Sequence, residues 1–168
     1  DTIKLVKLIS LNPGGSEPGS EEDTTAPILN ELFAWIDGYF YGVDNSEIEL
    51  GIKKLIDPEG NSDQSFDYFI VYFSEEVKIE LEFDLEQDFE LKYADELIDI
   101  NEAIQDSYFL ILRINESILS REKLKSEGAE FSLKVNESGR QKIFDLADNM
   151  LAGEPDSLSL IIEPKVSE

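Results

Sequence analysis

The chain has 168 residues, with 38 Asp plus Glu against 14 Lys plus Arg and neither His nor Cys, for a formal charge of -24. Those counts exclude disulfides, thiol and imidazole chemistry, zinc held by His or Cys and most transition-metal sites, leaving carboxylates, hydroxyls, lysines and three arginines for any chemistry. A hydrophobic share of 41% is too high for a disordered acidic tail, while the charge disfavours nucleic acid and anionic membranes and points to a basic protein or divalent cations as partners.

The chain opens at Asp1, without Met, on the strand-like run Thr2–Leu11, so removal of a leader or upstream segment is an expectation. Absence of Cys suits a reducing cytosol, slightly preferred here, and suits many secreted bacterial proteins too, so the compartment stays open. No apolar run reaches about 18 residues, so no membrane span is expected. Residues 12–25, rich in Gly, Pro, Ser and acids, read as a flexible surface loop, and no second linker precedes a short tail at 164–168. One domain, 1–168, is therefore expected.

Thr25-Ala-Pro27, followed by Ile28, Leu29, Leu32, Phe33, Trp35, Ile36, Tyr39 and Phe40, has a cap candidate, an early Pro and helical spacing, which predicts a central helix. Trp35 and Tyr39–Tyr41 would then belong to the core. Ile48, Leu50 and Ile52 alternate with Glu47, Glu49 and Gly51 and predict a strand. Phe66–Phe73 and Asp106–Ile114 are apolar on both parities, as strands covered on both faces would be. Between them, Val77, Ile79, Leu81, Phe83 and Leu85, then Phe89, Leu91 and Tyr93, alternate with charged residues and predict a hairpin with one buried and one wet face. Leu112–Ser117 echoes Leu133–Ser138, each reading as a strand end leading into a helix. Ser138 with Gln141 makes a capping-box signal ahead of Ile143, Phe144, Leu146, Ala147, Met150 and Leu151, with Gly153 and Pro155 as stops. Phe131–Val135 and Leu158–Ile162 flank that helix as strands. The predicted fold is α+β: a single domain with a mixed, mostly antiparallel sheet of seven or eight strands and three or four packed helices.

Twelve carboxylates and two lysines lie between Glu75 and Glu102. On a hairpin, same-face residues stand about 6.7 Å apart along a strand and strands about 4.8 Å apart. Glu80, Glu82, Asp84, Glu86, Asp88 and Glu90 would thus form a compact negative grid, with Asp95, Glu96 and Asp99 beside it. Like charges facing across strands destabilise a sheet. Two readings stand: a binding surface for a basic partner, or a solvated face that protects an edge and keeps the chain soluble.

Other motifs read more plainly. Asp57, Glu59, Asn61 and Asp63 begin like a calcium loop, but Gly60 is misplaced and Tyr68 stands where a bidentate Glu is needed, so a polar turn is preferred. Asp37, Asp44, Asn45 and Glu47 gather oxygen ligands more loosely still. Ser120-Arg-Glu-Lys123 spells an acyl-transfer motif without its partner motifs, and Ser120 reads instead as the first turn of a surface helix. Asn115-Glu-Ser117 and Asn136-Glu-Ser138 spell glycosylation acceptors where capping explains them better. Paired carboxylates for glycoside hydrolysis carry no information among 38 acids. No metal or cofactor is expected. The functional expectation is a non-enzymatic acidic binding protein, of the inhibitor, immunity or antitoxin type, covering a basic site of a nucleic-acid-handling partner. The alternative is a structural or surface-exposed domain, secreted, lipid-anchored or from a phage particle, whose acidity serves solubility.

Overall fold

A computed structural model of the chain describes residues 25–56, 66–114 and 120–164. The run Thr2–Leu11, most of the loop at 12–25, the Asp57–Asp63 turn, Asn115–Ser117 and nearly all of the 164–168 tail lie outside the described residues. Among the described residues are eleven strands and three short helices. The strands form three separate sheets of five, two and four, antiparallel at every pairing. The fold is therefore mostly β, and the expected α+β domain with one sheet of seven or eight strands is corrected.

The five-stranded sheet begins with β1 (Leu29–Ile36) and β2 (Tyr39–Tyr41), where a central helix is predicted. In β1, Leu32, Ala34 and Ile36 face the main core while Phe33 and Trp35 face a second cluster on the other side. A strand apolar on both faces matches helical spacing over short windows, which is why periodicity misassigns it. The Asp37-Gly38 turn decides the matter: φ is +53° and +84° at the two positions, as a two-residue type I′ hairpin requires. Trp35 is buried, as expected, and meets Phe40 edge-on with ring centroids 4.7 Å apart.

The predicted strand at 48–52 is instead helix α1 (Ser46–Ile56). Asn45 Oδ1 caps it, accepting from the N–H groups of Glu47 and Ile48 at 2.8 and 3.2 Å. Ile48, Ile52, Leu55 and Ile56 share one helical face and cover the outer side of the sheet, whereas Leu50 is 56% exposed. Three alternating apolar residues are too few to separate a period of 2 from one of 3.6. Strands β3 (Asp67–Phe73) and β8 (Phe109–Ile114) are both-face-covered strands as expected, and β7 (Glu102–Asp106) completes the order β2-β1-β3-β8-β7.

The hairpin predicted over 77–93 does not form. Its first arm is only β4 (Val77–Ile79), paired with β10 (Ile143–Asp145) in the two-stranded sheet. Residues 80–88 make an irregular loop. Strand β5 (Phe89–Tyr93) pairs with β6 (Glu96–Ile98) and β9 (Ala129–Val135), and β11 (Ser157–Ile162) completes the four-stranded order β11-β9-β5-β6. The predicted helix after Ser138 is also corrected. Helix α3 (Glu137–Arg140) lasts four residues before the chain turns into β10. Buried Asp145, the last residue of β10, shapes the turn that follows, its Oδ1 accepting from the N–H groups of Ala147 and Asn149 at 2.9 and 2.8 Å, so the chain does not run on as a helix toward Met150. Such local side-chain bonds compete with a helical ladder. Helix α2 (Arg121–Glu127) does start at Ser120, whose Oγ accepts from Lys123 N–H at 3.1 Å.

The two larger sheets enclose one core. Phe69, Val71, Leu110 and Leu112 from one meet Phe89, Leu91, Phe131 and Leu133 from the other, and Phe69 lies 4.8 Å from Phe131 between ring centroids. This is a two-layer sandwich with α1 on its outside face and the β4–β10 pair as a small third sheet. Among the described residues, no helix is long and apolar enough to cross a membrane.

Candidate functional site

The loop 80–88 that replaces the predicted hairpin is built by two aspartates. Asp84 Oδ1 accepts from the N–H groups of Glu86 and Gln87 at 3.1 and 3.2 Å, while Asp84 N–H donates to Asp88 Oδ2 at 2.8 Å. These bonds satisfy backbone donors that a strand would place in a ladder. A loop also relieves the repulsion that six carboxylates on two paired strands would generate.

Asp88 is not part of a solvent-facing surface. Its side chain is 1% exposed and forms an ion pair with Lys142, whose Nζ donates to Asp88 Oδ2 at 2.7 Å and to the Glu82 carbonyl at 3.1 Å. The Ser138 hydroxyl donates to Asp88 Oδ1 at 2.7 Å. Burial pushes the Asp88 carboxyl pKa up, but the hydrogen bonds from Lys142, Ser138 and the Asp84 N–H together outweigh it and hold the group below its ordinary range. Asn136 seals the junction, its N–H bonding the Asp88 carbonyl at 2.9 Å and its Nδ2 the Gln87 carbonyl at 2.8 Å. Asn136 and Ser138 thus brace the loop. The Ser138–Gln141 capping box does not form, because Ser138 is spent on Asp88.

Gly139 shows how closely these segments approach. A Cβ there would lie 2.6 Å from the Asp88 carbonyl oxygen and 2.9 Å from its Cβ. Gly139→Ala is expected to destabilise the protein by about 1–3 kcal/mol, the range for overpacking a tight interior, read as a lower urea midpoint. An unchanged midpoint would mean that α3 and residue 88 are not in contact.

The other expected residues divide by position. Glu80, Glu82, Asp84 and Glu86 are exposed on the loop, with Glu80 Oε2 3.3 Å from Lys78 Nζ. Lys78 also pairs with Asp148, and its pKa is raised first by that bond and then by Glu80. Glu90 is half-buried on β5 opposite Lys134 of β9. Asp99 is exposed just past the end of β6. Asp95 and Glu96 are exposed at the β5–β6 turn, where Glu96 pairs with Tyr93, about 10 Å along the strand from Glu90 at roughly 3.4 Å per residue. The expected grid is thus resolved into an acidic loop at one end of β5, an acidic turn at the other and a charge-balanced strand between.

A groove of about 440 Å³ runs beside the acidic loop. Ile79, Phe83, Leu85, Ala103 and Leu110 form its apolar part, and Glu82, Glu102, Asn101 and Gln105 its polar part. Phe83 packs against Phe89, ring centroids 4.8 Å apart, and the apolar lining is continuous with the main core. Gln105 Nε2 donates to the Val77 carbonyl at 2.8 Å and ties β7 to β4. Glu102 Oε1 lies 3.0 Å from Arg113 Nη1. Sequence periodicity marks Phe83 and Leu85 as inward-facing, but nothing local announces that β7 stands across from them.

Asn45 of the loosely gathered oxygen set is the α1 cap, and Asp37 forms the β1–β2 turn. Among the described residues, no cluster of three or more His, Cys, Asp or Glu side chains is arranged to hold a metal ion. No protein-family model, no curated protein and no solved structure matches this chain.

Proposed function

We propose that the protein is a non-enzymatic acidic binding domain of the inhibitor, immunity or antitoxin kind, which covers a basic site on a nucleic-acid-handling partner. The observation that carries this reading is the anchored loop: Glu80, Glu82, Asp84 and Glu86, four exposed carboxylates in seven residues, stand on a segment pinned by buried Asp88. Pinning reduces the ordering entropy that a free acidic tail would lose on binding. Cations near the loop are already engaged, Lys78 with Glu80 and Asp148 and Lys142 with Asp88. With a charge of -24, the protein attracts basic surfaces over a long range, and steering of this kind speeds encounter by about 10–10³-fold at low salt. The absence of thiols and imidazoles supports binding over nucleophilic catalysis.

The test compares the immobilised protein with an E82K/E86K variant, which leaves Asp84 and Asp88 to hold the loop. Basic nucleic-acid-handling proteins retained from a cell lysate at low salt are expected to be displaced by duplex DNA and lost by the variant, with association slowed by about tenfold or more. Equal retention by both forms, or none by either, would favour a domain whose acidity serves solubility.

A further inference from the structure

We infer that the groove between residues 79–85 and β7 takes one apolar side chain of the partner, presented between lysines or arginines. This inference rests on the charge-binding reading and adds to it the feature that selects among basic partners. Charge alone admits any cationic surface, because long-range attraction has little shape. The groove supplies shape. Its floor of half-buried Ile79, Phe83, Leu85 and Ala103, laid over buried Leu110, is an extension of the core, and its volume of about 440 Å³ leaves ample room for one aliphatic side chain.

Its charge is complementary to a basic segment. Glu82 stands on the groove itself, with Glu80, Asp84 and Glu86 exposed on the same loop. Glu102 on the opposite lip has one oxygen on Arg113. Among the described residues around the groove, Lys78, Lys142 and Arg113 are each held in an ion pair. A lysine on either side of the inserted residue would therefore meet carboxylates, whereas an acidic or neutral segment would meet repulsion or leave the acids unanswered. An apolar anchor in a pocket, ringed by complementary charge, is the usual anatomy of a binding hot spot.

The probes are two five-residue peptides, Lys-Lys-Leu-Lys-Lys and Lys-Lys-Ser-Lys-Lys, titrated into the isotope-labelled full chain at low salt and followed by amide chemical shifts. The leucine peptide is expected to bind about tenfold tighter, the gain from burying one such side chain, and to shift amides within 79–85 and 101–105. Ala103→Phe, which fills the groove from β7, is expected to remove that advantage and leave binding of the serine peptide unchanged. Equal affinities with shifts scattered over acidic positions would overturn the groove and leave the charge reading standing. Tighter leucine binding that maps elsewhere, for instance to Tyr39–Tyr41, would also overturn it. If neither peptide binds at low salt, the charge reading itself falls. The shift map on the unaltered protein decides among these outcomes even if the Ala103 variant fails to fold.

Discussion

Replacing Lys142 by Met is expected to lower stability by about 3 kcal/mol at pH 7, because it strands the Asp88 carboxylate in the interior. Breaking a buried ion pair from one side costs roughly 3–5 kcal/mol, and the lower end applies here since Lys142 retains 19% exposure against 1% for Asp88. The remaining donors, Ser138 Oγ and the Asp84 N–H, offset part of the loss. The same substitution frees the Glu82 carbonyl from Lys142 Nζ, so amides of residues 82–88 should exchange with solvent faster than the rest of the sandwich. The pH dependence has a definite sign. A carboxyl whose pKa is lowered by folding contributes stability fully above its unfolded value of about 3.9, and that contribution is lost as pH falls through the lower folded value. The gap between wild type and Lys142→Met, measured by urea denaturation, should therefore be largest near pH 7 and shrink as pH falls, beginning where the stranded Asp88 of the variant takes up a proton, because burial without Lys142 holds its pKa above that in the wild type. A gap independent of pH down to the acid transition would show that packing of the lysine stem, not its charge, is what matters. Asp88→Asn is the companion variant: it keeps an acceptor for the Asp84 N–H and lets Lys142 turn to solvent, so it should cost less than Lys142→Met.

The contrast between Asp88 and its neighbours explains what was and was not legible in the sequence. Strands β3, β8, β9 and β11 were legible because their apolar runs are short, rich in aromatic or branched residues and bounded by polar turns. The inward set of β5 was legible from alternation. The same rule failed at 80–88, where the alternation is real but Asp84 and Asp88 take the backbone out of the ladder. Helix α1 and strand β1 exchanged assignments because each has a short apolar pattern compatible with both periods. The Asp37-Gly38 pair, with positive φ at both positions, is the hairpin signal that distinguishes β1 from a helix. At the candidate site, composition located the acids but could not sort them. Asp88 looks like Glu86 until Lys142, 54 positions away, is brought onto it. The groove was equally hidden, since it forms only when β7 crosses in front of the loop. Local signals reached the short strands and the start of α2 near Ser120; contacts between distant segments assigned the roles.

Truncating Phe131 to Ala should have the largest effect of any single substitution in the core, about 3–5 kcal/mol. Phe131 is fully buried on β9, between Phe69 of the opposite sheet at 4.8 Å and Tyr93 of the adjacent strand at 5.3 Å. The lost ring removes apolar contact from both layers at once, and the surrounding strands, fixed by ladders on either side, have little freedom to collapse into the space. Against a typical total of about 5–15 kcal/mol, the variant should populate unfolded protein measurably at 37 °C. Phe131→Leu keeps most of the volume and should fall between the two. The measurement is a urea titration followed by the fluorescence of Trp35, which lies in the separate cluster beneath α1 and reports on the far side of the five-stranded sheet. Loss of Phe131 should shift that signal and far-ultraviolet circular dichroism to the same lower midpoint, because the five-stranded sheet cannot keep its inner face covered once the four-stranded sheet has left it. If Trp35 retained its original midpoint while the dichroism split into two transitions, the layers would be folding separately and the shared core would not be what joins them.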